Sequence, residues 1–528
     1  MTPKTNRPAG EATPPGAKAP SPLRSAGALH KPMAHSSSMD CGGNDAALAG
    51  HASGPAPEDA PSFERVEEGE RAADGFNVFD AIELPADWSM QKLGDIAVRV
   101  TGGGTPSTKV SQYWDGEMPW TTSAVIGEED IYLTKHQRCI TPKGLAESST
   151  QLIPKGSVLI GTRVGVGKAA VTTCDIAISQ DLTALVPKVG VSAEFIALAL
   201  KCAPLAAWFE ENKRGTTIKG VSRNDVLRLM IPLPGFPEQR AIAGMLRTVQ
   251  RAKEACERVL AATRQLKQSL LYHLFTSGPV PFAYAAHVPL KETEMGSFPK
   301  TWRQMSLGEL CADNDGAIQT GPFGSQLHKS DYVDDGVPVV NPTHLLGNRI
   351  NHSDVPMITK AKAAELSRHR LRVGDVLFAR RGEIGRHGFV TQAEDGWQCG
   401  TGCFIVRVNH GELFNAFLPW FFARSAVVEW LESNAAGAIM PNLNNTTLAR
   451  LPVLYPSLPE QRDIAAQLSA VDAKLAAEES RRSALVALFQ SLLHHLMTSQ
   501  VRLPEFAQRT AGHPSAFARG PNRGQVPP

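Results

Sequence analysis

The sequence predicts an α+β protein made by internal duplication. Two mixed α/β domains are separated by two long helices that pack on each other, and the whole is a pseudo-twofold object. Three observations lead there. One helical stretch is spelled twice, from Pro237 to Ser277 and from Pro459 to Ser499, 222 residues apart without a gap. Apolar side chains in both copies alternate in steps of four and three, the spacing of a coiled-coil seam. Each copy follows a mixed segment, and the two mixed segments share anchors in the same order.

Taken in order, residues 1–75 are rich in Pro, Ala, Gly and Ser, and the first sixty hold no Val, Ile, Phe, Tyr or Trp. Such a segment cannot bury enough apolar surface to offset its ordering entropy, and it is expected to be disordered. Residues 76–236 form the first mixed domain, with short β-rich runs such as Ser157–Ile160 and Ala170–Thr173 and a helical patch over 193–211. The first long helix covers 237–277, with its seam at Ile242, Leu246, Val249, Cys256, Leu260, Leu270 and Leu274. Lys253, Thr263 and Lys267 interrupt it. A linker of about 278–297 leads to the second mixed domain, 298–458. The second long helix covers 459–500, with its seam at Ile464, Leu468, Val471, Leu475, Leu485, Phe489, Leu492 and Leu496, interrupted by Glu478 and Arg482. Residues 501–528, rich in Pro, Gly and Arg, read as a flexible tail. Pro237 and Pro459 suit a first helical turn, where a missing N–H costs nothing. Glu238 and Glu460 suit the positive end of the helix dipole. About forty residues of helix span roughly 60 Å.

The domains echo each other. Leu84-Pro-x-x-Trp88 with Leu93-Gly-Asp-Ile96 returns as Phe298-Pro-x-x-Trp302 with Leu307-Gly-Glu-Leu310. These two apolar trios read as core anchors rather than base-stacking groups. Between anchors the copies diverge sharply, which fits a shared scaffold carrying different inserts.

Composition excludes several classes. A net charge of +2 gives no global basic field, so nucleic-acid binding would need local clusters. The eight cysteines are scattered, and Cys399 and Cys403 lack the second pair of a zinc site. No run of eighteen apolar residues offers a membrane span. The dispersed cysteines fit a reducing cytosol, so a cytoplasmic protein is expected. Gly161-Thr-Arg-Val-Gly-Val-Gly-Lys168 looks like a phosphate loop, but a Walker loop wants glycine where Thr162 stands and Ser or Thr where Ala169 stands. Its counterpart, Ala379-Arg-Arg-Gly-Glu-Ile-Gly-Arg386, is no phosphate loop either. What the two share is a glycine turn carrying cations: Arg163 and Lys168 in one, Arg380, Arg381 and Arg386 in the other. Asn341-Pro-Thr-His344 lacks the second proline and the aromatic of an adenine-methyltransferase motif, and it reads as a strand-end turn.

The pattern resembles the specificity subunit of type I restriction–modification systems. The match is carried by Thr101-Gly-Gly-Gly-Thr-Pro-Ser107 with Gln112-Tyr-Trp-Asp-Gly116 and Pro119-Trp120. It is also carried by Ile318-Gln-Thr-Gly-Pro-Phe-Gly-Ser-Gln-Leu327 with Asp331-Tyr332 and Gly336 to Pro342, and by the Pro-Glu-Gln-Arg openings of both helices. It covers about residues 80–500. The resemblance implies two target-recognition domains, each reading half of a split double-stranded DNA target, and an antiparallel helix pair holding them apart. It implies docking of two methyltransferase subunits and of restriction/translocase subunits. The helix openings, Glu238, Gln239, Arg240, Glu460, Gln461 and Arg462, are assigned to that docking. It also implies a non-catalytic chain with no cofactor of its own. S-adenosylmethionine, ATP and Mg²⁺ belong to the partners.

For DNA, base reading needs Arg, Asn or Gln that reach groove edges, and phosphate contact needs Lys, Arg, Ser or Thr. The turn-rich stretches supply Thr105, Ser107, Lys109, Lys213, Arg214, Thr216 and Lys219 in the first domain. In the second they supply Gln319, Ser325, Gln326, His328, Lys329, Asn442, Asn444 and Asn445. With the cations of the glycine turns these are the candidate DNA contacts. The plain alternative for each is a solvated loop side chain.

Overall fold

The computed structural model describes residues 75–506, apart from 81, 216–218, 313–314, 381 and 436–442. The extension expected to be disordered (through residue 74), the tail beyond 506 and the candidates Thr216, Arg381 and Asn442 lie outside the described residues.

Each domain is built on the same sheet. In the first, strands Ala97–Gly102, Leu182–Pro187, Val158–Gly161 and Ala169–Thr172 lie side by side in that order, with Tyr132–Leu133 as a fifth. In the second, Ala317–Thr320, Cys403–Arg407, Val376–Ala379 and His387–Phe389 take the same four places. A second sheet in each domain contains one parallel pair: Trp114–Thr121 with Ile176–Ile178, and Val337–Val340 with Gln398–Cys399. The first and last strands of each domain close on each other antiparallel, Ser89–Lys92 on Met230–Leu233 and Arg303–Ser306 on Pro452–Tyr455. Strands buried on both faces, such as Val158–Gly161 and Val376–Ala379, are continuous apolar runs for that reason. Trp88, Leu93 and Ile96, and Trp302, Leu307 and Leu310, are buried as core anchors.

The long helices run Phe236–Ser277 and Leu458–Met497 and pair antiparallel. Ser457 and Glu460 form a capping box at the start of the second. The first ends on Gly278, whose φ of 77° suits glycine. The start of the first helix (Ile242, Ala243, Leu246) and the end of the second (Phe489, Leu493, Leu496, Met497) share the core of the first domain. Leu274 and Phe275 share the core of the second domain with Ile464, Ala465 and Leu468. Each domain therefore rests on both helices.

The middle of the pair is polar. Cys256 Sγ donates to the Glu478 carbonyl (3.2 Å) and carboxylate (3.3 Å), and these two residues are 222 apart. They are the same position in the two copies, so the pseudo-twofold axis passes between them. Glu478 is 5% exposed, held also by Lys474 at 2.5 Å and Arg481 at 3.8 Å. Lys267–Asp472 (2.5 Å) and Arg482–Glu257 (3.0 Å) cross the pair on either side. Lys253 is buried, and its ammonium leaves the seam to meet Glu129 of the first domain.

Candidate nucleic-acid interface

In both domains the cationic glycine turn is the tip of a hairpin between adjacent antiparallel strands. The turn opens no helix, so the Walker-like spelling of the first copy has no phosphate-loop geometry. Left-handed glycines make the turn tight, with φ of 58° and 86° at Gly165 and Gly167, and 86° and 83° at Gly382 and Gly385. Gly167 lies against Phe209, where an added Cβ would come within 3.0 Å of the ring, and Gly385 lies against Val428 in the same way. The turn is thereby seated on a helix of its own domain, with Arg163 exposed and Lys168, Arg380 and Arg386 half-buried.

A loop is pinned to each turn by the same hydrogen bond. Val221 N donates to Thr162 O at 2.8 Å, and Leu443 N donates to Arg380 O at 3.1 Å. Beside it, Arg214 and Gly220 form a small antiparallel bridge next to Lys219. Arg163, Lys168, Lys213 and Lys219 line one open cavity of about 640 Å³ between the first domain and the end of the second long helix. Lys213 is paired with Glu210. Thr105 donates to Gln180 at 2.5 Å, and the next residue, Asp181, accepts from Thr162 N at 2.8 Å. The Thr105 loop thus borders the turn that bears Arg163. Thr105, Ser107, Lys109 and Arg214 are exposed.

In the second domain, Asn445 Nδ2 donates to Ile318 O at 3.2 Å, so the segment behind Leu443 meets the strand that carries Gln319. Several candidate polar groups there are already occupied. The Gln319 amide faces Arg368 O (3.0 Å) and His369 Nδ1 (3.1 Å). The Asn444 side chain accepts from Thr447 N at 2.8 Å as a helix N-cap. Arg386 pairs with Glu383, and its other nitrogen reaches Pro342 O at 3.4 Å. Arg380 is half-buried over the Phe404 ring, 6.0 Å from its centroid. Ser325, Gln326, His328 and Lys329 lie exposed on the following loop. The Gln326 side chain accepts from Phe323 N at 3.1 Å. Asn341 ends a strand, and its N–H donates to His344 Nδ1 at 2.9 Å, the strand-end turn expected of it.

Sequence reasoning passed over Lys201, which lines the first domain's cavity. Burial pushes its ammonium down to about 8, Asp130 partly restores it, and Lys168 opposes it again. Its Nζ donates to Glu128 O at 2.6 Å. Arg223 was also missed, and its guanidinium lies against Gly102. Lys201 lies in the turn between two helices and Arg223 opens a short helix, and in both places a lone cation reads as solvated surface.

The helix openings differ from the expectation. Gln239 and Gln461, taken as docking residues, are 1% and 0% exposed. The Gln239 amide accepts from Ser192 N (2.8 Å) and donates to Pro234 O (2.8 Å). Gln461 repeats this with Phe414 N (2.8 Å) and Pro456 O (2.9 Å), and adds Glu412 O (2.8 Å). Glu238 is buried against Trp88 and Arg502. These three fasten each helix to its own domain and leave no surface for a partner. Arg240 and Arg462 are exposed and Glu460 is half-exposed.

The first long helix does carry a different outward face. Ala241, Met245, Thr248, Ala252, Ala255, Val259, Ala262, Leu266 and Ser269 repeat the four-three spacing one residue behind the paired seam, without a charge. Met245, Val259 and Leu266 are 39, 40 and 53% exposed. The second helix holds Asp463, Gln467, Lys474, Arg481 and Leu488 at the matching places. Among the described residues no helix is long and apolar enough to cross a membrane.

Comparison with known proteins agrees with this architecture. The profile of the type I restriction modification DNA specificity domain matches twice, over residues 85–261 and 299–486. The MjaIX type I restriction enzyme specificity subunit of Methanocaldococcus jannaschii is 28% identical over 282 residues, 53% of this chain and 63% of that relative's length. The MjaVIII specificity subunit of the same organism is 19% identical over 81% of this chain and 96% of its own. The crystal structure of a type I restriction–modification S subunit from M. genitalium shares the fold at a TM-score of 0.52 and 17% identity, covering 79% of this chain and 98% of that one. Two profile matches, one to each half of a duplicated chain whose halves share a sheet order, place the protein in the type I restriction–modification DNA specificity family.

Proposed function

We propose that the protein reads DNA for a type I restriction–modification complex, one domain to each half of a split target, with the helix pair setting the gap between the halves. One observation carries this reading. A constant frame holds variable polar residues: the bond from Val221 to Thr162 recurs as the bond from Leu443 to Arg380, while the side chains around it differ. A fixed frame with exchangeable side chains suits a reader of base edges. Its partners are then double-stranded DNA, two methyltransferase subunits and restriction/translocase subunits, in the cytoplasm where the DNA lies. S-adenosylmethionine, ATP and Mg²⁺ bind to those subunits, and this chain itself neither methylates nor cleaves. The uncharged outer face of the first long helix, with Met245, Val259 and Leu266 exposed at heptad spacing, supports helix-against-helix docking there.

The test is an exchange of domains. Residues 80–236 are replaced by the corresponding domain of a relative, and the chain is assembled with its methyltransferase partners. One half of the methylated sequence should change and the other should stay. A change in both halves, or in neither, rules out one domain per half-site.

A further inference from the structure

The segment after the second long helix reads in the sequence as a free tail, yet its start is built into the first domain. Ser499 turns the chain with a φ of 55°, and its hydroxyl donates to Glu83 O at 3.3 Å. Leu503 is buried in the first domain's core, and Phe506 packs on it. Between Ser499 and Leu503, Arg502, its side chain 9% exposed, makes four hydrogen bonds to two carboxylates. Nε and one terminal nitrogen donate to Glu238 at 3.0 and 2.7 Å. Both terminal nitrogens donate to Asp87 at 3.1 and 2.8 Å. Trp88 Nε1 donates to the same Glu238 at 3.1 Å.

Three separate parts of the chain meet in this guanidinium. Asp87 belongs to the opening segment of the first domain, Glu238 to the first turn of the first long helix, and Arg502 to the chain leaving the second. A planar fork that binds two carboxylates side by side fixes direction as well as distance, which apolar packing does not. Among the described residues the second domain shows no such device. Val280 stands 222 residues before Arg502, and Glu460, the counterpart of Glu238, caps its own helix through Ser457. There the connection is covalent: the chain runs from Ser277 through Phe282–His287 and the hairpin Leu290–Thr293/Gly296–Pro299 into the domain. In the first half the described chain leaving the second helix does not run on into the domain's strands; it is attached through the packed segment from Ser499 to Phe506.

We propose that Arg502, with Asp87 and Glu238, is a positioning clamp that fixes the tilt of the first domain on the helix pair and so sets how strictly the complex selects the spacer between half-sites. It stands in for that continuation of the chain and touches no DNA. This rests on the bipartite DNA reading proposed above.

The test uses the full chain with its methyltransferase partners and DNA carrying the native spacer or spacers longer and shorter by one and two base pairs. In Arg502→Met the rate ratio between native and altered spacers should fall at least about tenfold, the scale on which misplacing a bound group changes a rate. Both half-site sequences should be retained, and Arg502→Lys should fall between. A second measurement needs no methylation: the distance distribution between spin labels at positions 189 and 488 should broaden in Arg502→Met. If the ratio and the distribution both match wild type, or if activity drops equally on every spacer, the clamp has no positioning role and the proposal fails. If the wild-type complex methylates nothing, the DNA reading fails instead, and the distance distribution still judges the clamp.

Discussion

Gln239 and Gln461 are the same residue of the repeat, and each closes the same pair of backbone bonds beneath its helix. A buried amide that satisfies a backbone N–H and a backbone C=O leaves both unpaired when removed. Gln461→Leu should therefore destabilise the second domain by about 2–3 kcal/mol, read as a shifted urea midpoint. Methyltransferase subunits should still co-purify with what folds, which a docking residue would not allow. In the sequence these glutamines were visible only as a repeated polar spelling. Exposure is the default for such a residue, and only the neighbouring chain, at Ser192 and Phe414, turns it inward. Lys201 yields a second expectation. Its folded pKa of about 8 lies below the ordinary 10.5. Below pH 8 the folded chain bears the full cost of a desolvated ammonium. Between pH 8 and 10.5 the unfolded chain binds more protons, so stability rises with pH. Lys201→Met should lack this rise. The gap between the two proteins should move in favour of wild type across that window, measured by denaturant unfolding at several pH values.

At the scale of elements, the long helices lie where the four-three spacing puts them. The interior of the seam was less legible. Near the end Leu493 is buried beside Leu496 and Met497 while the seam residue Leu492 is only partly buried, because there the helix also faces the core of the first domain. Lys253 and Glu478 looked like interruptions, and both are accommodated: one by a glutamate from the domain, the other by its own counterpart, Cys256. A heptad inserted after Val259 and another after Arg481 would keep the seam in register. It would add about 10 Å to both helices, roughly three base pairs of separation. Sequencing of modified bases should find both half-sites unchanged and the spacer longer by about that amount. An active variant with the original spacer would show that something other than the helices measures the gap. The candidate DNA loops were the least legible element. Turn chemistry located the glycine hairpins, but whether Gln319 or Asn444 points outward depends on contacts with His369 and Thr447 that no local pattern encodes.

At the scale of the whole molecule, the duplication was legible because two copies of one spelling are their own control. The closure of the chain on itself was not. Asp87 and Arg502 are 415 residues apart, and nothing local announces their meeting. That each domain grips the start of one helix and the end of the other has a mechanical consequence. A domain rooted on one rod would be a cantilever. A tilt of about 5° at the root of a rod of roughly 60 Å would swing the far end by about 5 Å, more than the ~3.4 Å rise of one base pair. Two antiparallel rods, each embedded at both ends, convert that tilt into sliding along their shared seam, which the charged side chains on either side of Cys256 and Glu478 resist. Stiffness in this molecule is therefore a condition for counting base pairs, and its weakest joint should be the root where the described chain leaving the second rod does not run on into the domain's strands.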